Sequence, residues 1–168
     1  MSEVYIREAT EQDFDVIKSW LLEKDVLQWF PMESDKEVED AARIWVYYAR
    51  LKSCFIAEIN SIPVGTILLN ITNLEKIQHQ CLISIIVSQN YRNQGIGTKL
   101  LNYVEKVAFE EFKIELLHLE VYENNPAKRL YEKVGYETYG LHPNFLKENG
   151  GYKSKILMQK WLIQRKER

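Results

Sequence analysis

Arg92, Gly95 and Gly97 stand in the stretch Asn90-Tyr-Arg-Asn-Gln-Gly-Ile-Gly-Thr-Lys-Leu-Leu101, between an apolar run over residues 82–87 and a segment with apolar residues at helical spacing. A strand that ends in a glycine turn and opens a helix aims unpaired backbone N–H groups and the positive helix end at one place. Phosphate is the ligand such a place takes. Glycine keeps side-chain bulk away from the amides, and Arg92 adds a charged fork. An ordinary tight turn uses the same two glycines, so the loop alone leaves both readings open. No Gly-Lys-Ser or Gly-Lys-Thr follows, which excludes the P-loop of nucleotide hydrolases. A dinucleotide-binding domain would want its glycines after the first strand.

The elements that must position this loop follow from the apolar pattern. Residues 4–9 read as a strand, and Thr10 with Asp13 starts a helix carrying Phe14, Ile17 and Leu21 on one face. Ser34 and Glu37 form a second capping box, before a helix with Val38, Ala41, Ala42, Trp45, Val46 and Ala49 on its apolar face. Residues 54–59 and 62–69 pair as a hairpin through Asn60-Ser61, and 82–87 suits a strand covered on both faces. Leu101, Val104, Ala108 and Phe112 continue the helix that begins near Thr98. Residues 116–121 form the next strand, with His118 and Glu120 on one face. Asn125-Pro126 starts a helix whose apolar side carries Ala127, Leu130, Tyr131 and Val134 and which ends at Gly135. Strands at 136–141 and 152–160 flank a loop with Asn149-Gly150-Gly151. The order βααβββαβαββ is that of a mixed α/β fold, expected as one domain over residues 1–168.

Composition narrows the function. The chain has 168 residues, enough for a real core, with 22 basic and 24 acidic side chains and a formal charge of −2. That balance gives no global field for nucleic acid or an anionic membrane. No apolar run approaches a membrane span, and the acidic N-terminal stretch is unlike a signal peptide, so a cytoplasmic protein is expected. Cys54 and Cys81, without CxxC spacing, read as buried thiols and not as metal ligands.

At this point the chain resembles the GNAT superfamily of acyl-coenzyme A dependent N-acyltransferases. Arg92-Asn93-Gln94-Gly95-Ile96-Gly97 is similar to its R/Q-x-x-G-x-G/A signature for the coenzyme A pyrophosphate. Asn124-Asn-Pro-Ala-Lys-Arg-Leu-Tyr-Glu-Lys-Val-Gly-Tyr136 is similar to its N-x-x-A-x-x-L-Y-E-K-x-G-F/Y pattern. Residues 57–65, AEINSIPVG, look like the family's second hairpin. The resemblance implies a mixed central sheet with splayed fourth and fifth strands. It implies acetyl-coenzyme A as cosubstrate, no metal, and a monomer or homodimer. Coenzyme A contacts carry over to Ile85, Ile86, Val87 and Ser88 for the pantetheine arm and to Arg92 through Thr98 for the pyrophosphate, Thr98 closing the loop. Asn124, Asn125, Ala127 and Tyr131 carry over from the second pattern.

The reaction implied is direct attack of a primary amine on the thioester. Such an amine is mostly protonated at neutral pH, with a pKa of roughly 10.4, so a base or a water chain must take a proton. Tyr131 is the implied acid for the leaving thiolate, against a packing role among its apolar helix neighbours. Residues 81–87 hold no carboxylate, where many relatives carry one, and the implied base is instead Glu120 in Leu119-Glu120-Val121, with His118 beside it. A solvated strand face explains the same two residues. The spacing from Val121 to Asn124 is one residue short of the commonest form, so either Asn124 or Asn125 takes the asparagine role. Trp29, Phe30, His142 and Tyr152 are candidates for the acceptor pocket. The expected acceptor is a small-molecule amine or amino acid. Peptide or protein N-termini, lysine, and a non-catalytic acyl-coenzyme A binding module are the alternatives.

Overall fold

A computed structural model describes residues 2–164. The strands are β1 (Val4–Glu8), β2 (Cys54–Ile59), β3 (Ile62–Asn70), β4 (Gln80–Val87), β5 (Leu116–Tyr122), β6 (Glu137–Glu148) and β7 (Gly151–Trp161). The helices are α1 (Phe14–Leu22), α2 (Lys24–Leu27), α3 (Asp35–Arg50), α4 (Ile96–Glu110) and α5 (Ala127–Val134). The strands form a mixed seven-stranded sheet in the order β1-β2-β3-β4-β5-β7-β6. β4 and β5 run parallel, while β1–β2, β2–β3, β5–β7 and β6–β7 are antiparallel. Among the described residues no helix is long and apolar enough to cross a membrane, and no group of three His, Cys, Asp or Glu is placed to hold a metal ion.

The chain packs as two compact units, Met1–Asn70 with Ser84–Val104, and Ile71–Ile83 with Glu105–Arg168. In the first, α1 and α3 turn Ile17, Leu21, Val38, Ala42 and Trp45 onto Ile56, Leu68 and Ile86. Each of the isoleucine, leucine and valine side chains contributes about 1.5–3 kcal/mol by leaving water. α3 begins where the capping box is expected, with Ser34 Oγ accepting from Glu37 N–H (3.3 Å) and Glu37 Oε2 accepting from Ser34 N–H (2.7 Å). The Thr10–Asp13 box instead opens a 3-10 turn, Glu11–Asp13, ahead of α1. Asn60 and Ser61 both take positive φ, as a two-residue hairpin turn of primed type demands. Cys54 is buried in the same core, its sulfur 3.6 Å from Thr66 Oγ1 on β3.

In the second unit Leu117, Leu119, Tyr136 and Met158 are buried. The sequence expectation of a short strand at 136–141 followed by a loop is corrected here: β6 runs on to Glu148 and turns through Asn149-Gly150 into β7. Pro143 does not end it, because β6 pairs only with β7 and its register shifts between His142 and Leu146. Proline is tolerated at an edge and in a bulge, where no ladder N–H is lost.

Candidate active site

The glycine loop lies wholly in the first unit. Its helix starts two residues earlier than the sequence suggests, at Ile96, and the first intrahelical bond runs from Lys99 N–H to Gly95 O (3.1 Å). The amides of Ile96, Gly97 and Thr98 therefore precede the ladder and have no intrahelical acceptor. Gly95 takes φ +79° with open space where a Cβ would stand, so conformation and not crowding calls for glycine there. Asn93 is also left-handed, at φ +60°. Gly97 is buried in the first helical turn. These features fit a pyrophosphate.

The strand that delivers this loop is braced from both sides. A Cβ at Gly65 of β3 would stand 2.8 Å from the Ile86 carbonyl oxygen, so that glycine lets β3 approach β4 closely. Ser88 N–H donates to Val64 O (3.0 Å). Glu23, at the corner between α1 and α2, accepts from Ser88 Oγ (2.8 Å) and from Gln89 N–H (2.9 Å). Arg92 turns its guanidinium onto main chain, donating to Val87 O (3.4 Å) and Asp25 O (3.3 Å). The backbone of the loop is thus fastened to α2 by two side chains, one of each charge.

β4 ends in this unit with Ile86 buried and Ile85 and Val87 half-buried. In the second unit the parallel ladder to β5 consists of Gln80–Leu116, Cys81–Leu117 and Leu82–His118, although both strands extend further. The ladder thus stops after its third pair. Where pairing stops, main-chain groups of both strands are left to find another partner.

Tyr131 belongs to the second unit. Asn125 Oδ1 accepts from Ala127 N–H (2.9 Å), an Asx turn that leads through Pro126 into α5, while Asn124, at φ +67°, makes the turn before it. Gly135, at φ +103°, ends the helix. Lys160 Nζ donates to Val134 O (2.8 Å) and to Glu105 Oε2 (2.7 Å), holding the last turn in place. Tyr131 is only 8% exposed and meets Tyr136 edge to face, ring centroids 6.3 Å apart. Burial pushes its hydroxyl up to about 12, so it stays a donor across the working pH range.

The opposite polarity of group gathers on β5, β6 and β7. Glu120 Oε2 accepts from Lys155 Nζ at 2.8 Å. The same ammonium stands 3.6 Å from the centroid of Phe145, which meets His142 edge to face at 5.1 Å and Tyr122 at 6.1 Å. Burial lowers His118 below its ordinary 6.5, with the charge of Glu120 pulling the other way, which makes a neutral imidazole at pH 7. Of the acceptor-side candidates, His142 joins this cluster. Tyr152 is 60% exposed near the hairpin tip, with Lys147 Nζ 5.9 Å from its ring, and Phe30 packs against the core of the first unit. Trp29, half-buried beside it, belongs to the same unit.

Glu23, Gly65, Phe145 and Lys155 were absent from the sequence reading of the site. One sign existed for Glu23: an acid at the end of a helix opposes the macrodipole and asks for another reason to be there. Lys155 gave none, since it precedes an apolar strand run as any solvated residue does.

The Acetyltransferase (GNAT) family model matches residues 15–136, and the chain belongs to that family. Its chemistry is acetyl transfer from acetyl-coenzyme A to an amine. The L-amino acid N-acetyltransferase AaaT of Escherichia coli (strain K12) is 24% identical over 157 residues, covering 90% of this chain and 94% of the relative. An N-alpha-acetyltransferase of Sulfurisphaera tokodaii is 36% identical over 92 residues, 49% of this chain and 55% of its own length. An acetyltransferase structure from Salmonella typhimurium, solved with its cofactor acetyl-CoA, has a TM-score of 0.80 at 17% identity over 96% of this chain and 95% of that one. This last likeness is one of fold.

Proposed function

We propose that this protein acetylates the amine of a small molecule, an amino acid being the favoured acceptor, by direct attack on acetyl-coenzyme A. The observation that carries the reading is the set of amides at Ile96, Gly97 and Thr98 behind the left-handed Gly95. The choice of a small acceptor is supported by AaaT, which is similar across nearly the whole of both chains. Bound there, acetyl-coenzyme A supplies an activated acetyl thioester. The amides and the helix end hold the pyrophosphate, and the main chain of β4 near Ile85 to Ser88 holds the arm.

Glu120, directly or through a water, takes one proton from the acceptor ammonium so that a neutral nitrogen forms the new C–N bond as the C–S bond breaks. The nitrogen then loses its second surplus proton to water and the thiolate takes one up from water, so one proton is released net. Tyr131 donates to the departing sulfur. A thiol has a pKa near 8.5, so complete transfer from a phenol near 12 is uphill by roughly three pKa units. Its hydrogen bond to the developing thiolate is therefore the larger part of the contribution. His118, neutral at pH 7, is the second group able to accept the amine proton.

A non-catalytic acyl-coenzyme A binding module is the second reading, favoured by the absence of a carboxylate from residues 81–87. Incubation with acetyl-coenzyme A and each of the twenty standard L-amino acids, together with spermidine and a peptide with a free N-terminus, separates the two by following released thiol. Amine-dependent release identifies the acceptor. Binding of coenzyme A without release from any amine would overturn the enzymatic reading.

A further inference from the structure

Among the described residues of the second unit Lys155 is the buried charged one, and acetyl transfer gives it no task. Its side chain is 10% exposed, against 42% for its partner Glu120. Taking an ammonium out of water requires a counter-charge, and among the described residues that charge comes from Glu120. The face of Phe145 supplies further stabilisation at 3.6 Å. Phe145 gets there because residues 143–145 bulge from β6 between the pairs His142–Lys155 and Leu146–Lys153, with Asn144 at φ +55°. His142 buttresses the ring on one side and Tyr122 on another. The bulge, the ring and the buried ammonium together hold one oxygen of an otherwise half-exposed carboxylate.

We propose that Lys155 is a positioning residue for Glu120. It holds Oε2, fixes the orientation of the carboxyl plane on β5, and leaves Oε1 for the proton of the acceptor amine. Without it, a glutamate on a solvated strand face would spread over its rotamers, and an acceptor amine would meet it in a productive orientation only part of the time. The proposal rests on the reading of Glu120 as the base. It also bears on the obvious test of that reading, because Glu120→Gln strands the Lys155 ammonium without its counter-charge.

The experiment is a cycle of four full-length proteins, wild type, Glu120→Gln, Lys155→Met and the double variant, with Lys155→Arg as the conservative control. Turnover is measured at saturating acetyl-coenzyme A with whichever standard L-amino acid the wild type uses fastest. Lys155→Met is expected to lower kcat by about ten- to a hundredfold, part of what a general base contributes, with KM for acetyl-coenzyme A unchanged. Lys155→Arg should recover most of the rate. In the Glu120→Gln background Lys155→Met should change kcat little further. Should Lys155→Met fail to fold, Lys155→Gln takes its place, keeping a donor without the charge.

Wild-type kcat in folded Lys155→Met, no recovery with arginine, or an equal loss with and without Glu120 would each overturn the proposal. If Lys155→Met restores activity to Glu120→Gln, the stranded ammonium was the cause of that loss and Glu120 is not the base. Wild-type turnover in Glu120→Gln, or no amino acid turned over by the wild type, removes the underlying reading and this proposal with it. A damaged Glu120→Gln beside a normal Lys155→Met removes the proposal alone.

Discussion

The two units differ in the kind of group that the proposed reaction would draw from each. In the first, the groups the proposal uses are main-chain amides at the start of α4, and side chains such as Glu23 and Arg92 tie the loop before them to main chain and to Ser88. In the second, the groups the proposal uses are side chains, Tyr131 on a helix and Glu120 on a strand, and each packs or pairs with neighbours from other elements. Main chain tolerates almost any substitution that preserves its path. A side-chain site fails on the loss of a single atom. The difference gives mutations in the two units separate signatures.

Gly97→Glu should have the largest effect, because it puts bulk and negative charge into the first turn of α4. Coenzyme A should no longer raise the melting temperature of the folded variant, and thiol release should fall to background. An unchanged thermal shift would reduce the loop to an ordinary turn and end the comparison. Tyr131→Phe should do the reverse, leaving the coenzyme A shift intact while kcat falls by about ten- to a thousandfold, within the range of a single acid or base. Steady-state kinetics beside thermal melts check this. A collapse in stability with kcat preserved would make Tyr131 a packing residue.

Glu23→Ala blurs the line between brace and ligand. It leaves the Ser88 hydroxyl and the Gln89 amide without their acceptor, at a cost of about 1–3 kcal/mol. For a chain of this size that lowers the melting temperature by several degrees. KM for acetyl-coenzyme A should rise with little change in kcat. Smallest is the contribution of His118. Its folded pKa lies below the ordinary 6.5, so the unfolded chain binds the proton more tightly and stability falls as pH drops through that region. His118→Gln should flatten the acid side of the stability curve between the two pKa values, as read by denaturant melts, and leave the curve above pH 7 unchanged.

The same contrast explains what could be read from the sequence. The amide turn was legible because conformation dictates residue type locally: Gly95 must be left-handed, and Gly97 sits where the helix begins. Capping boxes and Asn60-Ser61 were legible for the same reason. The start of α4 was misplaced by two residues because glycines within a first helical turn look like loop. The brace from Glu23 spans 65 residues of sequence to Ser88, and Lys155 reaches Glu120 across 35. No local pattern encodes such pairs. The sequence reading ends this strand at Leu141, whereas β6 continues through Pro143, which an edge strand tolerates.

The buried cysteines have a practical consequence. Burial pushes the Cys54 thiol up to about 12, far above the pH of an assay, so its reactive thiolate is scarce in the folded protein. Cys81 is 1% exposed in β4. A chromogenic disulfide added to the folded protein should therefore stay colourless until coenzyme A is released, and the product can be counted without a background from the catalyst. Denaturant should then bring out two equivalents of colour per chain, one for each cysteine. One reagent thus reports turnover in the native protein and, by the same colour appearing without substrate, the fraction of any variant that has lost its core.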